Sequence, residues 1–262
     1  MEINTKTKVI NIPYFDKQIN MNIYDYEYYK NDDVEGNDII SKCFGKQYCW
    51  EPYQSEIAKE ILECGDNLCI DVGSHLGTYS IISSIYSNRT IAIDRNKNVN
   101  NIFRKTIIDN DLVGITVLDM YITKDTKLEN IIKDDTIRLL KVDVGGLEND
   151  VYSVFKIKFE KKQIDYAMFE ITSKYLERYK FVEELYKMGY KVFDIGLSSN
   201  RKLVNDTETL YSDKFLDDEL IGDFEQIIKN LPKGQSNFLF KSDLIVNETC
   251  KCYTSMYYFT KI

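Results

Sequence analysis

One histidine serves the whole 262-residue chain, three prolines punctuate it, and only twelve glycines loosen it. So few breakers exclude a disordered or linker-rich chain. The six cysteines, at 43, 49, 64, 69, 250 and 252, fall at irregular gaps, with His75 as the only imidazole. Zinc sites want cysteines paired at roughly two to four residues, often with histidine, so free or buried thiols are expected and no metal. No uncharged apolar run is long enough to span a bilayer, and the N-terminus lacks the charged-then-apolar order of an export signal. A cytoplasmic chain without disulfides is therefore expected, its sequons at Asn88, Asn205 and Asn247 unused. Positive charge is short as well: the formal net charge is −8. A grip on nucleic acid or an anionic membrane needs the opposite field, so neither partner is expected. The one dense basic run, Lys156, Lys158, Lys161 and Lys162, reads as a solvated helix or turn face.

What is present is a core-forming composition, 44% hydrophobic, in a length that suits one large domain or two small ones. Partial alternation through Val9, Ile10, Ile12, Tyr14, Ile19, Met21 and Ile23 predicts an N-terminal β-rich extension over 1–49. From residue 50 onward, strand-like and helix-like runs alternate at short connections. Trp50, Tyr53, Ile57 and Ile61 fall at helical spacing, and Trp50 and Tyr53 are expected to pack against a sheet. Strands are predicted at Leu68–Val72, Thr90–Asp94, Gly114–Leu118, Ile137–Val144 and Ile164–Ile171, with later ones at Val192–Ile195 and Phe238–Phe240. Such alternation predicts an α/β fold, a mostly parallel sheet with helices on both faces. Residues 200–236 are mostly polar and are expected to form an insertion or cap. Nothing in the sequence sets the oligomeric state.

Two features point to a ligand. The run Leu68–Val72 passes into Gly73-Ser74-His75-Leu76-Gly77 and then into a helical pattern, the strand–turn–helix order of a nucleotide-binding unit. Three residues separate the glycines, so this is not the dinucleotide fingerprint, and a nucleoside without phosphates fits better. Acids also stand at the ends of five successive strands: Asp71, Asp94, Asp119, Asp143 and Glu170. Ligands of open α/β sheets bind outside those ends. Any one acid reads equally as a helix N-cap or a solvated loop residue. Asp94 lies about twenty residues beyond the first glycine, where such folds place an acid on ribose hydroxyls.

With these residues in view, the chain resembles the FkbM family of S-adenosylmethionine-dependent methyltransferases. The matching segments are IDVGSHLGTYS (70–80), TKLENIIKDDTIRLLKVDVGGLENDV (126–151), AMFEI (167–171), ELYKMGYKVFDIG (184–196) and NFLF (237–240). They span about residues 50–241 in order. The resemblance implies a Rossmann-like class I methyltransferase fold over 50–262, with a mostly parallel seven-stranded sheet. It also implies methyl transfer from S-adenosyl-L-methionine to a hydroxyl of a saccharide or other small-molecule acceptor. By position, Gly73, Ser74 and Gly77 wrap the cofactor's methionine end, with His75 in the same loop. Asp71 steadies the loop, Asp94 takes the ribose, and Asp119 and Met120 stand at the adenine. Asp143 and Glu148 line the transfer site, with Glu170 nearby. Gly145 stands where the family usually has glutamate, and His75 where asparagine is commoner.

Methyl transfer is a direct displacement, aided by positioning and by a base for the hydroxyl proton. Asp143, at the end of a central strand, is the expected base, with Glu148 and Glu170 as its companions. Its plainer reading is a helix N-cap. His75 is expected to make a loop hydrogen bond rather than act as base. Lys141, two residues before Asp143, orients a carboxylate or is a partly buried strand position. The missing glutamate at 145 keeps open a chain that binds cofactor without catalysing transfer, a scaffold. RNA ribose methylation is disfavoured by the acidic charge.

Overall fold

The computed structural model describes residues 6–25, 28, 38–46, 48–63, 68–87, 89–127, 129, 132, 136–172, 180–194, 202–203 and 235–241. The expected insertion or cap at 200–236 lies outside them apart from 202–203 and 235–236.

Period-two sequence makes a hairpin first, β1 (Thr7–Tyr14) and β2 (Lys17–Tyr24), paired antiparallel from Thr7↔Tyr24 to Tyr14↔Lys17. A short helix that periodicity did not announce follows, α1 (Ile39–Gly45), capped by Asp38 accepting from Ser41 N. Next come β3 (Tyr48–Cys49), α2 (Pro52–Glu63) and the all-buried β4 (Leu68–Val72). The chain continues through α3 (Thr78–Tyr86), β5 (Thr90–Asp94), α4 (Lys97–Asp109) and β6 (Ile115–Asp119). After them lie β7 (Ile137–Val142), α5 (Glu148–Glu160), β8 (Ile164–Thr172), α6 (Lys180–Lys187) and β9 (Lys191–Asp194). β10 (Lys202–Leu203) pairs with β3, and β11 (Gln235–Lys241) returns to the main sheet.

That sheet runs β6-β5-β4-β7-β8-β11-β9. Five strands, β6 through β8 in that order, are parallel, and β11 lies antiparallel to both β8 and β9. The fold is therefore Rossmann-like, with the mostly parallel sheet that the strand–helix alternation predicts. From β4 the chain steps outward to β5 and β6, and then restarts on the other side with β7 and β8. The switch point lies between β4 and β7, where ligands of such sheets bind.

Two apolar cores cover the two faces. Ile70, Val72, Leu140, Val142 and Phe169 pack with Phe155 and Phe159 of α5 and with Phe181 and Leu185 of α6. Cys69, Leu139 and Met168 face the other way, onto Ile57 and Ile61 of α2, Ile81 and Ile82 of α3, and Phe103 of α4. The hairpin residues Ile12, Ile19, Met21 and Ile23 share this second core. Asn22, buried at the seam, donates its amide to Asp109 Oδ2 at 2.8 Å and its backbone N–H to Thr106 Oγ1 at 2.9 Å, fastening the ribbon to α4. The basic run lies on α5 and the turn after it, and two of its lysines tie to the α6 segment. Lys156 Nζ reaches Glu184 Oε2 at 2.7 Å, and Lys162 Nζ donates to Met188 O at 2.5 Å. Among the described residues, no helix is long and apolar enough to cross a membrane.

Candidate active site at the carboxyl ends of the strands

β4 ends against a turn that only glycine can make. Gly73 sits at φ +81, and a Cβ there would lie 1.7 Å from the backbone oxygen of Asp143. The glycine loop is thus pressed against the segment leaving β7. Gly73 N and Ser74 N both donate to Ile93 O, at 2.8 and 3.1 Å, which pins the loop to β5. Gly77 (φ +84) is the N-cap of α3, and a Cβ there would strike the Phe103 ring at 2.1 Å. Ser74 Oγ is buried with no hydrogen-bond partner among the described residues. Asp71 works from behind the loop: its Oδ2 accepts from Ser80 N at 3.0 Å and Ser80 Oγ at 2.6 Å, anchoring the first turn of α3. Burial pushes the Asp71 carboxyl up to about 6, against the pull of the Ser80 bonds and the Lys141 charge.

Asp94 faces the loop with both oxygens oriented by backbone. Oδ2 accepts from His75 N at 3.1 Å and Oδ1 from Asn96 N at 2.7 Å. A carboxylate carries two acceptor sites per oxygen, so capacity for ligand hydroxyls remains. Asn100, fully buried, donates to Asp94 O at 2.9 Å and to Asp119 Oδ1 at 2.8 Å, so the ends of β5 and β6 are held together. Met120 N adds a bond to Asp94 O at 3.0 Å, and the Met120 side chain packs half-buried on the sheet core. Asp119 is less available than its sequence position suggests. Arg104 Nη2 lies 2.8 Å from the same oxygen that Asn100 holds. Burial pulls the Asp119 carboxyl up, but these two partners outweigh it and hold it below the usual range.

His75, at φ +49, turns its imidazole to the N-terminal extension. Its Nε2 lies 2.9 Å from Asp38 Oδ1, while Nδ1 is buried without a hydrogen-bond partner among the described residues. Burial pushes the imidazole down; the Asp38 bond and charge, helped by Asp94 and Asp143, outweigh it and leave His75 above its ordinary value. The expected loop hydrogen bond is present, and its acceptor comes from the cap of α1.

At the ends of β7 and β8 lies a cluster that the sequence discloses only in part. Asp143, about one-third exposed, follows β7, and its N–H donates to Val72 O at 2.9 Å. Lys141 is 1% exposed, with Nζ 3.8 Å from Asp143 Oδ2 and 4.9 Å from the Tyr79 ring centre. Burial opposes the lysine's charge, yet Asp143, Glu51, Glu170 and Asp71 together hold it above its ordinary value. Glu170, 5% exposed, is hydrogen-bonded to Glu51, itself fully buried at the start of α2. Burial and the neighbouring Asp143 and Glu51 push Glu170 up to about 9, against the pull of Lys141. Tyr79 OH donates to Glu51 Oε2 at 2.5 Å.

Glu148 folds back on its own loop, accepting from Gly146 N at 2.7 Å. Gly145 (φ +61) is exposed, and a Cβ there meets nothing within 4 Å, so no steric demand excludes a side chain. Trp50 packs against the second core, as its spacing predicts; the side chain of Tyr53 lies outside the described residues. The residues that sequence reasoning missed are Glu51 and Tyr79. A Pro after Glu51 signals a helix start, but nothing local signals that this acid turns inward. Among the described residues, no group of three or more His, Cys, Asp or Glu side chains is disposed to hold a metal ion.

No protein-family model matches the chain, and no curated protein matches it in sequence. Solved structures do match in chain trace. An rRNA methylase from Streptococcus thermophilus is 9% identical over 72% of this chain and 93% of its own, with TM-score 0.46. A precorrin-6y C5,15-methyltransferase from Geobacter metallireducens is 13% identical over 72% and 88%, with TM-score 0.45. A methyltransferase FkbM from Methylobacillus flagellatus is 11% identical over 67% of this chain and 43% of its own, also with TM-score 0.45.

Proposed function

We propose that this chain is an S-adenosylmethionine-dependent, FkbM-like class I methyltransferase acting on a hydroxyl of a saccharide or other small molecule. The observation that carries this reading is the pairing, at the carboxyl ends of β4 and β5, of the Gly73–Gly77 turn with the backbone-oriented Asp94 carboxylate. A nucleoside bearing an amino-acid tail fits these residues. Asp94 retains acceptor capacity for ribose hydroxyls, the glycines leave room for close approach, and the orphaned Ser74 hydroxyl awaits a polar partner. Met120 supplies an apolar contact for the base. Asp119 stiffens that rim through Asn100 and Arg104, and Asp71 acts on the loop from behind.

When bound, the cofactor supplies a methyl carbon on a positively charged sulfur, whose electron pair stays on sulfur as the acceptor oxygen takes the carbon. The chain's part is to orient the acceptor and remove its proton. Asp143 reaches solvent at the mouth of the cluster, and its carboxylate takes the hydroxyl proton. Lys141 steadies that carboxylate from the buried side. A second reading, cofactor binding without transfer, draws on Gly145, where the resembled family carries glutamate and this chain leaves open space.

Asp94→Ala tests the cofactor assignment. Loss of a carboxylate accepting two charge-assisted ribose hydrogen bonds weakens S-adenosylmethionine binding about 10- to 100-fold in calorimetry. Unchanged affinity removes Asp94 from the site. Transfer of labelled methyl to saccharide, small-molecule and RNA panels separates the readings: transfer to hydroxylated small molecules supports the first, and binding with no transfer to any panel supports the second.

A further inference from the structure

The side chains grouped behind Asp143 include one residue, Glu51, that the transfer reading leaves unused. We propose that Glu51 is a positioning residue for the transfer step, sharing a proton with Glu170 so that Glu170 stands as a neutral acid and Asp143 alone serves as the base. The inference rests on the methyltransferase reading and assigns a device within that same site.

Four observations carry it. Glu51 is fully buried and accepts from Tyr79 OH on one oxygen, while its side chain is also hydrogen-bonded to Glu170. Two carboxyl groups can share a hydrogen bond only with a proton between them, and two adjacent bare carboxylates inside the protein repel strongly. With Tyr79 and Glu170 both donating, Glu51 is the member that carries the charge and Glu170 the member that keeps the proton. The backbone is committed to this placement. Glu51 is held at φ +43, a left-handed conformation, directly before Pro52. That combination is disfavoured for a non-glycine residue and persists where the surroundings over-determine it. Glu51 O accepts from Ser55 N at 2.8 Å and Trp50 O from Ser55 Oγ at 3.2 Å, so the start of α2 locks the residue in place.

The fourth observation points to a ligand. Lys141 Nζ is buried, faces this group from β7, and has no hydrogen-bond partner among the described residues; its nearest carboxylate oxygen is 3.8 Å away. A buried ammonium with three unused donors calls for a further oxygen, such as one on the acceptor. The charged and titratable groups around the pair are Asp71 from β4, Tyr79 from α3, and Lys141 and Asp143 from β7. Were Glu170 ionised too, the single Lys141 charge would face four carboxylates. Proton sharing removes one of them, and of the three that remain Glu51 and Asp71 are buried, which leaves Asp143 as the exposed carboxylate that takes the acceptor's hydroxyl proton.

The test follows the Glu170 carboxyl directly, by carbon-13 NMR of protein labelled at glutamate carboxyls, with Glu170→Gln assigning the resonance. In the native chain, Glu170 remains protonated through neutral pH and titrates near 9. In Glu51→Gln the midpoint falls by about one pH unit or more, since a repelling charge is gone. Should that variant fail to fold, Glu51→Asp keeps the charge, withdraws the reach, and moves the midpoint down in the same sense. A Glu170 midpoint in the ordinary carboxylate range, or one indifferent to both substitutions, overturns the pairing. A second arm places the pair at the reacting end: native protein saturated with S-adenosylmethionine shows a lower Glu170 midpoint than protein saturated with the demethylated product, because the sulfonium favours the ionised form. Equal midpoints overturn the role in transfer while the pairing stands. If neither compound binds, the cofactor reading fails and takes that role with it, and the midpoints of the free protein still decide the proton sharing.

Discussion

Gly73→Ala is expected to cost about 3 kcal/mol of folding stability or more and to abolish measurable S-adenosylmethionine binding. Two effects add. A non-glycine residue at φ +81 is strained by roughly 1–3 kcal/mol. The larger effect is steric: a methyl group 1.7 Å from the Asp143 backbone oxygen cannot be relieved by a rotamer change, because both partners are main chain. The loop must lift from β7, and in doing so it gives up the bonds from Gly73 N and Ser74 N to Ile93 O. Those bonds aim the turn at Asp94. Gly145→Ala is the internal control. Its φ of +61 carries the strain, but a Cβ there meets nothing within 4 Å, so a loss of about 1 kcal/mol and unchanged binding are expected. Urea unfolding and calorimetry of the two variants read both quantities. Equal losses in the two would mean that strain alone matters and that the close contact at Gly73 does not.

Asp143→Asn is expected to lower methyl transfer by about 10²- to 10⁴-fold while leaving cofactor affinity within a few-fold. The amide has the shape of the acid but cannot take the acceptor's proton. The Asp143 N–H still donates to Val72 O at 2.9 Å, so the loop geometry survives the substitution. Lys141 loses its nearest anion, yet Glu51 and Asp71 remain to hold its charge. Transfer is read as labelled methyl on an acceptor found in the panels, and affinity by calorimetry. Undiminished transfer would remove Asp143 from the role of base.

The parts of this molecule that were legible in sequence are those whose cause is local. β4, the Gly73–Gly77 turn and α3 follow from a buried run, two glycines and a helical period within nineteen residues, Leu68–Tyr86. Asp94 follows from its place at the end of β5. The hairpin follows from alternation, although its attachment to α4 through Asn22, Thr106 and Asp109 does not, since 84 and 87 residues separate the partners. Asp71 and Asp119 each stand at a strand end, but depth separates their roles: Asp71 lies one position inside β4 and is buried against Ser80, whereas Asp119 lies at the rim and is taken by Arg104. Strand position alone does not report such a neighbour.

The cluster at β7 and β8 shows the limit more sharply. Glu170 was visible as an acid on a fifth strand, and Lys141 as a lysine beside Asp143. Their electrostatic state depends on Glu51, 119 residues before Glu170 in the chain, and on the left-handed turn before Pro52 that brings it inward. Glu148 sits where the resembled motif places it, and one oxygen of its carboxylate accepts from Gly146 N of its own loop, a contact that the motif does not announce.

Titrating S-adenosylmethionine and S-adenosylhomocysteine into the native chain by calorimetry tests the central claim. Saturable one-site binding of both compounds is expected. No saturable binding of either would contradict the methyltransferase reading, whatever chemistry the strand ends support.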